Sequence, residues 1–235
     1  MNSIRKDVPA TQQDLQQFAS EFWEQCGFTT KVDCEIVTAE GTMTVSVCAY
    51  NGTGRTDPIY LCECRYGSDS VPDDIIQDFG TVVRASNAKT GFILSETSQA
   101  DDPSGIDETV DIRLLTWQEF QDHFSKQWVQ YQTEKVQQDA EDLRNYCDTL
   151  EKHVSERLRK ETDAFREEYR ILSEKHMPMG MLAHKWNLPS TLFHGDELFE
   201  AFKCRDAWNF MIKLDEMLKE GLKEFDDLFD EKWRA

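Results

Sequence analysis

The chain has 235 residues, room for one large domain or two small ones, and its 39% hydrophobic content is enough for a packed core. No run approaches the ~20 apolar residues of a membrane span, and Met1–Pro9 lacks the apolar centre of a secretory signal, so a soluble, cytoplasmic protein with no membrane partner is expected. The net charge of −19 repels a phosphate backbone at long range and argues against strong autonomous DNA binding, while leaving room for a local basic groove or for metal ions that offset the acids.

Thr11–Cys26 carries Leu15, Phe18, Phe22, Trp23 and Cys26 at helical spacing, which predicts a helix ended by Gly27. Lys31–Thr38 and Thr42–Tyr50 read as the two strands of a hairpin around Ala39-Glu40-Gly41. Asn51–Arg55 reads as a loop and Ile59–Tyr66 as a third strand. Val71–Ala88 reads as a second helix, with Pro72 suited to its first turn and Ile75, Ile76, Phe79, Val82 and Val83 apolar. Gly91–Ser95 is a short buried strand, Ser98–Asp107 an acidic loop and Val110–Leu115 a further strand. This order predicts an α/β domain on a mixed central sheet flanked by helices, over residues 1–115.

Thr116-Trp117-Gln118-Glu119 has the spacing of a capping box, so a helix starts there. Helical periodicity then runs to about His176 with one break, through a stripe that includes Phe120, Phe124, Trp128, Leu143, Leu150 and Val154. Met177–Gly195, with Pro178, Gly180 and Pro189, reads as a non-periodic connector. Asp196–Lys203 is short and helical, and Ala207–Trp233 is a long helix with Met211, Leu214, Leu218, Leu222, Phe225 and Phe229 on one face. Residues 116–235 are therefore expected to form an all-α region, an antiparallel helical hairpin. Its apolar stripes favour a homo-oligomer or a protein partner.

The charge is uneven: residues 1–120 hold 8 basic and 20 acidic side chains, residues 121–235 hold 18 and 25. The seven cysteines are scattered, and Cys34, Cys48, Cys62 and Cys64 fall in strand-like segments, which suits buried reduced thiols. Cys62-x-Cys64 resembles half of a metal site, but no second cysteine pair has a finger-like spacing and the five histidines are dispersed, so a zinc site is not expected. The most chemically pointed stretch is Ile59–Tyr66. Alternation puts Glu63 and Arg65 on one face of that strand and Cys62 and Cys64 on the other. Two charges on one face of a buried strand call for a reason. In metal-dependent nucleases such a carboxylate holds a divalent cation, and the basic group steadies the attacking water and the phosphate. A structural ion pair on a half-exposed strand is the plainer reading.

Several segments together resemble one family. The Gly27-Phe28 pair after the first helix, the Glu63-Cys64-Arg65 strand, the run from Gly91 to Ser98 (GFILSETS), the Val71–Val83 helix and Leu114–Gln121 (LLTWQEFQ) resemble the PD-(D/E)XK nuclease superfamily, in particular its type IV (Mrr-like) restriction endonucleases. The resemblance covers about residues 10–125 and implies a restriction-endonuclease-like fold. It also implies a catalytic set: an Asp on the second strand, then Glu-x-Lys on the third, acting with Mg2+. Matched onto this chain, the acid is Glu63, the lysine is replaced by Arg65, and Ser46 stands where the metal-binding Asp belongs. Serine is a poor stand-in because magnesium wants anionic oxygens. Arginine cannot give up its proton to act as a base, although it can bind phosphate.

Another acid could rebuild the site. A turn centred on Ala39-Glu40 puts Asp33 across from Ser46, and one centred on Glu40-Gly41 puts Glu35 there. Asp57 lies too far along the chain, and Glu21 or Glu24 of the first helix are further candidates. Gln77 and Arg84 could touch nucleic acid. Three functions follow. The first is a catalytically impaired nuclease relative retained as a nucleic-acid-binding or assembly module, with a link to antiphage defence by family analogy. The second is an active Mg2+-dependent DNA endonuclease in which Glu63 with Asp33 or Glu35 holds the cation and Arg65 clamps the phosphate. The third is an acidic decoy that occupies a basic partner.

Overall fold

Thr11 sits extended ahead of the first helix and its hydroxyl accepts the backbone N–H of Asp14 at 3.0 Å, which fixes the start of α1 at Gln12–Gln25. The computed structural model describes residues 3–39, 41–52, 57–67, 71–96, 110–185 and 196–230. The expected acidic loop at 98–107, residues 53–55 of the expected first loop and the end of the last helix at Trp233 lie outside them. The chain divides into two compact units, one of residues 6–128 and one of residues 129–235 with residues 2–5.

The first unit is built on a five-stranded sheet. Its strands are β1 (Thr29–Thr38), β2 (Gly41–Tyr50), β3 (Tyr60–Arg65), β4 (Thr90–Ser95) and β5 (Ile112–Thr116), in that spatial order. β1, β2 and β3 pair antiparallel, while β3, β4 and β5 pair parallel, so the sheet is mixed as expected. Helix α2 (Asp73–Ser86) connects β3 to β4 and buries Ile76, Phe79, Val82 and Val83 against Leu61 and Ile93 of the sheet. Gly91 makes that packing possible. A Cβ there would stand 2.5 Å from Val83 Cγ2 and 2.7 Å from Phe79 Cε1.

An aromatic cluster forms the second layer. Trp23 of α1, Tyr60 of β3 and Phe92 of β4 pack with Phe120 and Phe124, which lie in the first turns of α3 (Trp117–Cys147). The capping box forms as read: Glu119 accepts the Thr116 N–H at 2.7 Å and Thr116 Oγ1 accepts the Glu119 N–H at 3.3 Å. The unit boundary falls inside α3 after Trp128, not at 115/116, because the aromatic residues of its first turns belong to the sheet's core.

The second unit is helical, with the end of α3 followed by α4 (Lys152–Lys160), α5 (Asp163–Lys185), α6 (Asp196–Ala201) and α7 (Ala207–Phe229). It is more than a hairpin. Lys135–Asp215 and Tyr146–Phe225 contacts set α3 parallel to α7, while Phe165–Phe229 and His176–Glu224 contacts set α5 antiparallel to α7. The helical pattern breaks twice rather than once, at 148–151 and 161–162. Leu150 falls in the first break and is exposed, not on the buried stripe. The expected connector begins later than read, since α5 continues through Pro178 to Lys185. Gly180 lets α5 approach α3 closely: a Cβ there would meet the Arg144 backbone nitrogen at 3.3 Å.

Candidate functional site

The β1–β2 ladder runs from Thr29↔Tyr50 to Thr38↔Gly41, which sets Asp33 in line with Ser46 and pairs Glu35 with Thr44. Of the two registers open from sequence, the one that favours Asp33 is formed. Glu35 is corrected: it stands two residues from the position it needed, because the turn closes one residue earlier than its register required.

Asp33 does not sit as a regular strand residue. Its φ is 51°, in the left-handed region, and the ladder skips the Asp33–Ser46 pair between Val32↔Val47 and Cys34↔Val45. The consequence is visible in the core. Val45 and Cys48 are three residues apart and would face opposite sides of a regular strand. Both lie in the cluster with the α2 side chains, together with Cys34, whose thiol donates to the Lys31 carbonyl at 2.9 Å. The pairing register is the same on both sides of Asp33 and Ser46, so no residue is inserted; what changes there is which face the side chains of the two strands take.

At this point the polar groups of three elements form a chain of hydrogen bonds. Gln16 of α1 donates from Nε2 to Asp33 Oδ1 at 2.7 Å and to the Ser46 carbonyl at 2.8 Å. Ser46 Oγ donates to Glu63 Oε2 at 3.2 Å and accepts the Cys64 N–H at 3.1 Å. The Ser46 N–H also reaches Glu63 Oε2, at 3.4 Å. Arg65 Nη2 meets the other carboxylate oxygen, Glu63 Oε1, at 2.9 Å. The Glu63 side chain is 16% exposed and that of Arg65 40%, so the pair is half-screened from water. Gln12 clamps the end of β3, accepting the Tyr66 N–H and donating to the Cys64 carbonyl. Beside it, desolvation and a hydrogen bond to Glu96 hold the Tyr66 hydroxyl above the usual tyrosine range.

Glu63, Arg65, Ser46 and Asp33 are therefore brought into one network, and Glu35 is not placed in it. Glu21 and Glu24 are engaged elsewhere, Glu21 with Gln17 and Glu24 with Thr30. Gln77 and Arg84 are exposed on α2. Sequence reading missed Gln12 and Gln16. Their four-residue spacing on the first helix puts both on one face, and that is the signal that could have found them.

The donor set does not fit a hard divalent cation. Each Glu63 oxygen is held, one by Arg65 and one by Ser46, one of the two Asp33 oxygens accepts the Gln16 amide, and Ser46 supplies a neutral hydroxyl where an anion is wanted. Among the described residues no three His, Cys, Asp or Glu side chains are placed to share an ion. The thiols offer no substitute. Cys62 and Cys64 are buried on the face opposite Glu63 with their sulfurs 3.8 Å apart, and burial holds the Cys62 thiol well above its usual range. Arg65 Nε is shielded from solvent and has no hydrogen-bond partner among the described residues.

No known family model matches this chain, and no curated protein matches it. It is similar to a solved structure described as a protein of unknown function, AF1548, at 12% identity and a TM-score of 0.36, covering 90% of this chain and 97% of that one. A likeness at that level says nothing about activity. Among the described residues no helix is long and apolar enough to cross a membrane.

Proposed function

We propose that residues 6–128 form a restriction-endonuclease-like domain whose metal position has been closed, and that the protein serves as a binding or assembly module rather than a phosphodiesterase. The observation that carries this reading is the occupation of both Glu63 oxygens, one by Arg65 and one by Ser46. In an active centre of this kind the carboxylate faces the cation and a lysine stands free beside it. Here the acid satisfies the base. The order of elements and the mixed sheet support the fold half of the proposal. A DNA target, a protein partner or a second copy reached through the helical unit, and a role in antiphage defence belong to the same reading and rest on the family resemblance.

The test is a plasmid-nicking assay with Mg2+ or Mn2+ on the wild type, on Glu63→Ala and on the double variant Ser46→Asp, Arg65→Lys. The expected result is no cleavage by the first two proteins. The double variant, which restores the acid and the lysine, should gain Mn2+ binding. Cleavage by the wild type that is lost in Glu63→Ala would overturn the proposal. It would support the second reading, in which Asp33, held in line with Ser46, completes a relocated metal site.

A further inference from the structure

The helical unit holds a cleft of about 1010 Å³, formed where the chain turns from α3 through 148–151 into α4 and back along α5. Its α5 wall follows a helical stripe. Arg166, Tyr169, Arg170, Ser173, Glu174 and Met177 recur at intervals of three and one, so they share a face. The inner surface is mostly apolar: Cys147 and Tyr169 are buried at its base, with Leu158, Met177 and Pro178 around them. Met177 is 41% exposed, a large apolar side chain left facing solvent at the mouth.

Three guanidinium groups line the cleft, and they differ in what they have left to offer. Arg170 is spent, holding Glu167 with two nitrogens at 3.0 and 2.7 Å and Glu174 with the third. Arg166 uses Nε on the Leu158 carbonyl at 2.8 Å and Nη1 on Asp163 at 2.6 Å. Among the described residues Arg144 has long contacts alone, 3.9 Å to Glu141 and 3.4 Å to Asn145. Among the described residues, its fork is the cation of the cleft with no short bond, placed to take a strong, charge-assisted one. The acids that line the cleft are engaged as well: Asp148 accepts the Leu150 N–H at 2.8 Å, and Glu174 holds Arg170.

We propose that this cleft binds a small amphipathic anion, its apolar chain or ring laid over Tyr169, Leu158 and Met177 and its carboxylate or phosphate head held by Arg144 with help from Arg166. The size lies at the upper end of small-molecule sites, and the mix of apolar wall and few directed polar groups is what such sites use. The inference does not depend on the nuclease reading, since every residue it uses lies in the helical unit.

The test titrates the full chain with octanoate, octanol and octylammonium by calorimetry, while following the methyl resonance of Met177 by NMR. Octanoate should bind one per chain and move that resonance, octanol should bind more weakly, and octylammonium weakest. Arg144→Gln should weaken octanoate roughly tenfold, the scale of a lost hydrogen bond to a charged group, and leave octanol unchanged. The Arg144 side chain is 41% exposed and makes no short bond among the described residues, so the variant should fold. Thermal unfolding of Arg144→Gln checks this, and Arg166→Lys, which keeps the charge, provides a milder second variant. Equal binding of the three ligands, an unmoved Met177 resonance, or an Arg144→Gln variant that binds octanoate as the wild type does would each overturn the proposal.

Discussion

Asp33 holds a φ of 51°, a conformation that costs most L-residues about 1–2 kcal/mol and that Asp and Asn tolerate best. Its carboxylate is tied to Gln16, which also holds the Ser46 carbonyl, so the strained residue is fixed from α1. Asp33→Val should therefore destabilise the protein by about 1–2 kcal/mol in urea unfolding, whereas Asp33→Asn should change it by less than about 0.5 kcal/mol. Glu63 gives a sharper test of what the network is for. In a metal centre the clustered carboxylates repel one another, and removing one stabilises the empty protein. In a satisfied ion pair, removing the acid strands Arg65 and Ser46. Glu63→Ala should accordingly lower stability by about 1–3 kcal/mol, the cost of unmade bonds to a half-buried charge. A Glu63→Ala variant more stable than the wild type would speak for a metal centre.

The elements obey rules of spacing that can be checked one at a time. Thr116 and Glu119 close the capping box at the start of α3, and Thr116→Ala should cost about 1 kcal/mol in thermal or urea unfolding. Gly91 allows β4 to approach α2, and Gly91→Ala should cost about 1–3 kcal/mol because Val83 and Phe79 must give way. Both features were open to a reader of the sequence, the first as a motif and the second as a glycine inside a short buried strand. The change of face at Asp33 was not. It depends on a single left-handed residue inside a strand of regular alternation, and alternation predicts the opposite face for Val45 and Cys48. The path of α5 through Pro178 was hidden too, because a proline inside a periodic segment normally ends a helix. The placing of α3 parallel to α7 depends on pairs such as Lys135–Asp215, 80 residues apart, for which local periodicity carries no signal.

At the scale of the whole molecule, the net charge of −19 sets a background repulsion against every compact state. Screening should relieve it, so the melting temperature is expected to rise as salt goes from about 20 mM to about 500 mM. A melting temperature that falls over this range would mean that the surface ion pairs outweigh the repulsion. The same charge bears on function, since a chain this acidic draws divalent cations diffusely, and only a cation held at a defined place distinguishes an enzyme centre from a scaffold. The most direct measurement is a calorimetric titration of Mg2+ and of Mn2+ into the full chain at low salt, beside the same titration into Glu63→Ala. The closed network predicts matching, weak heats in the two proteins. A saturable heat at millimolar or tighter affinity in the wild type that vanishes in Glu63→Ala would contradict it.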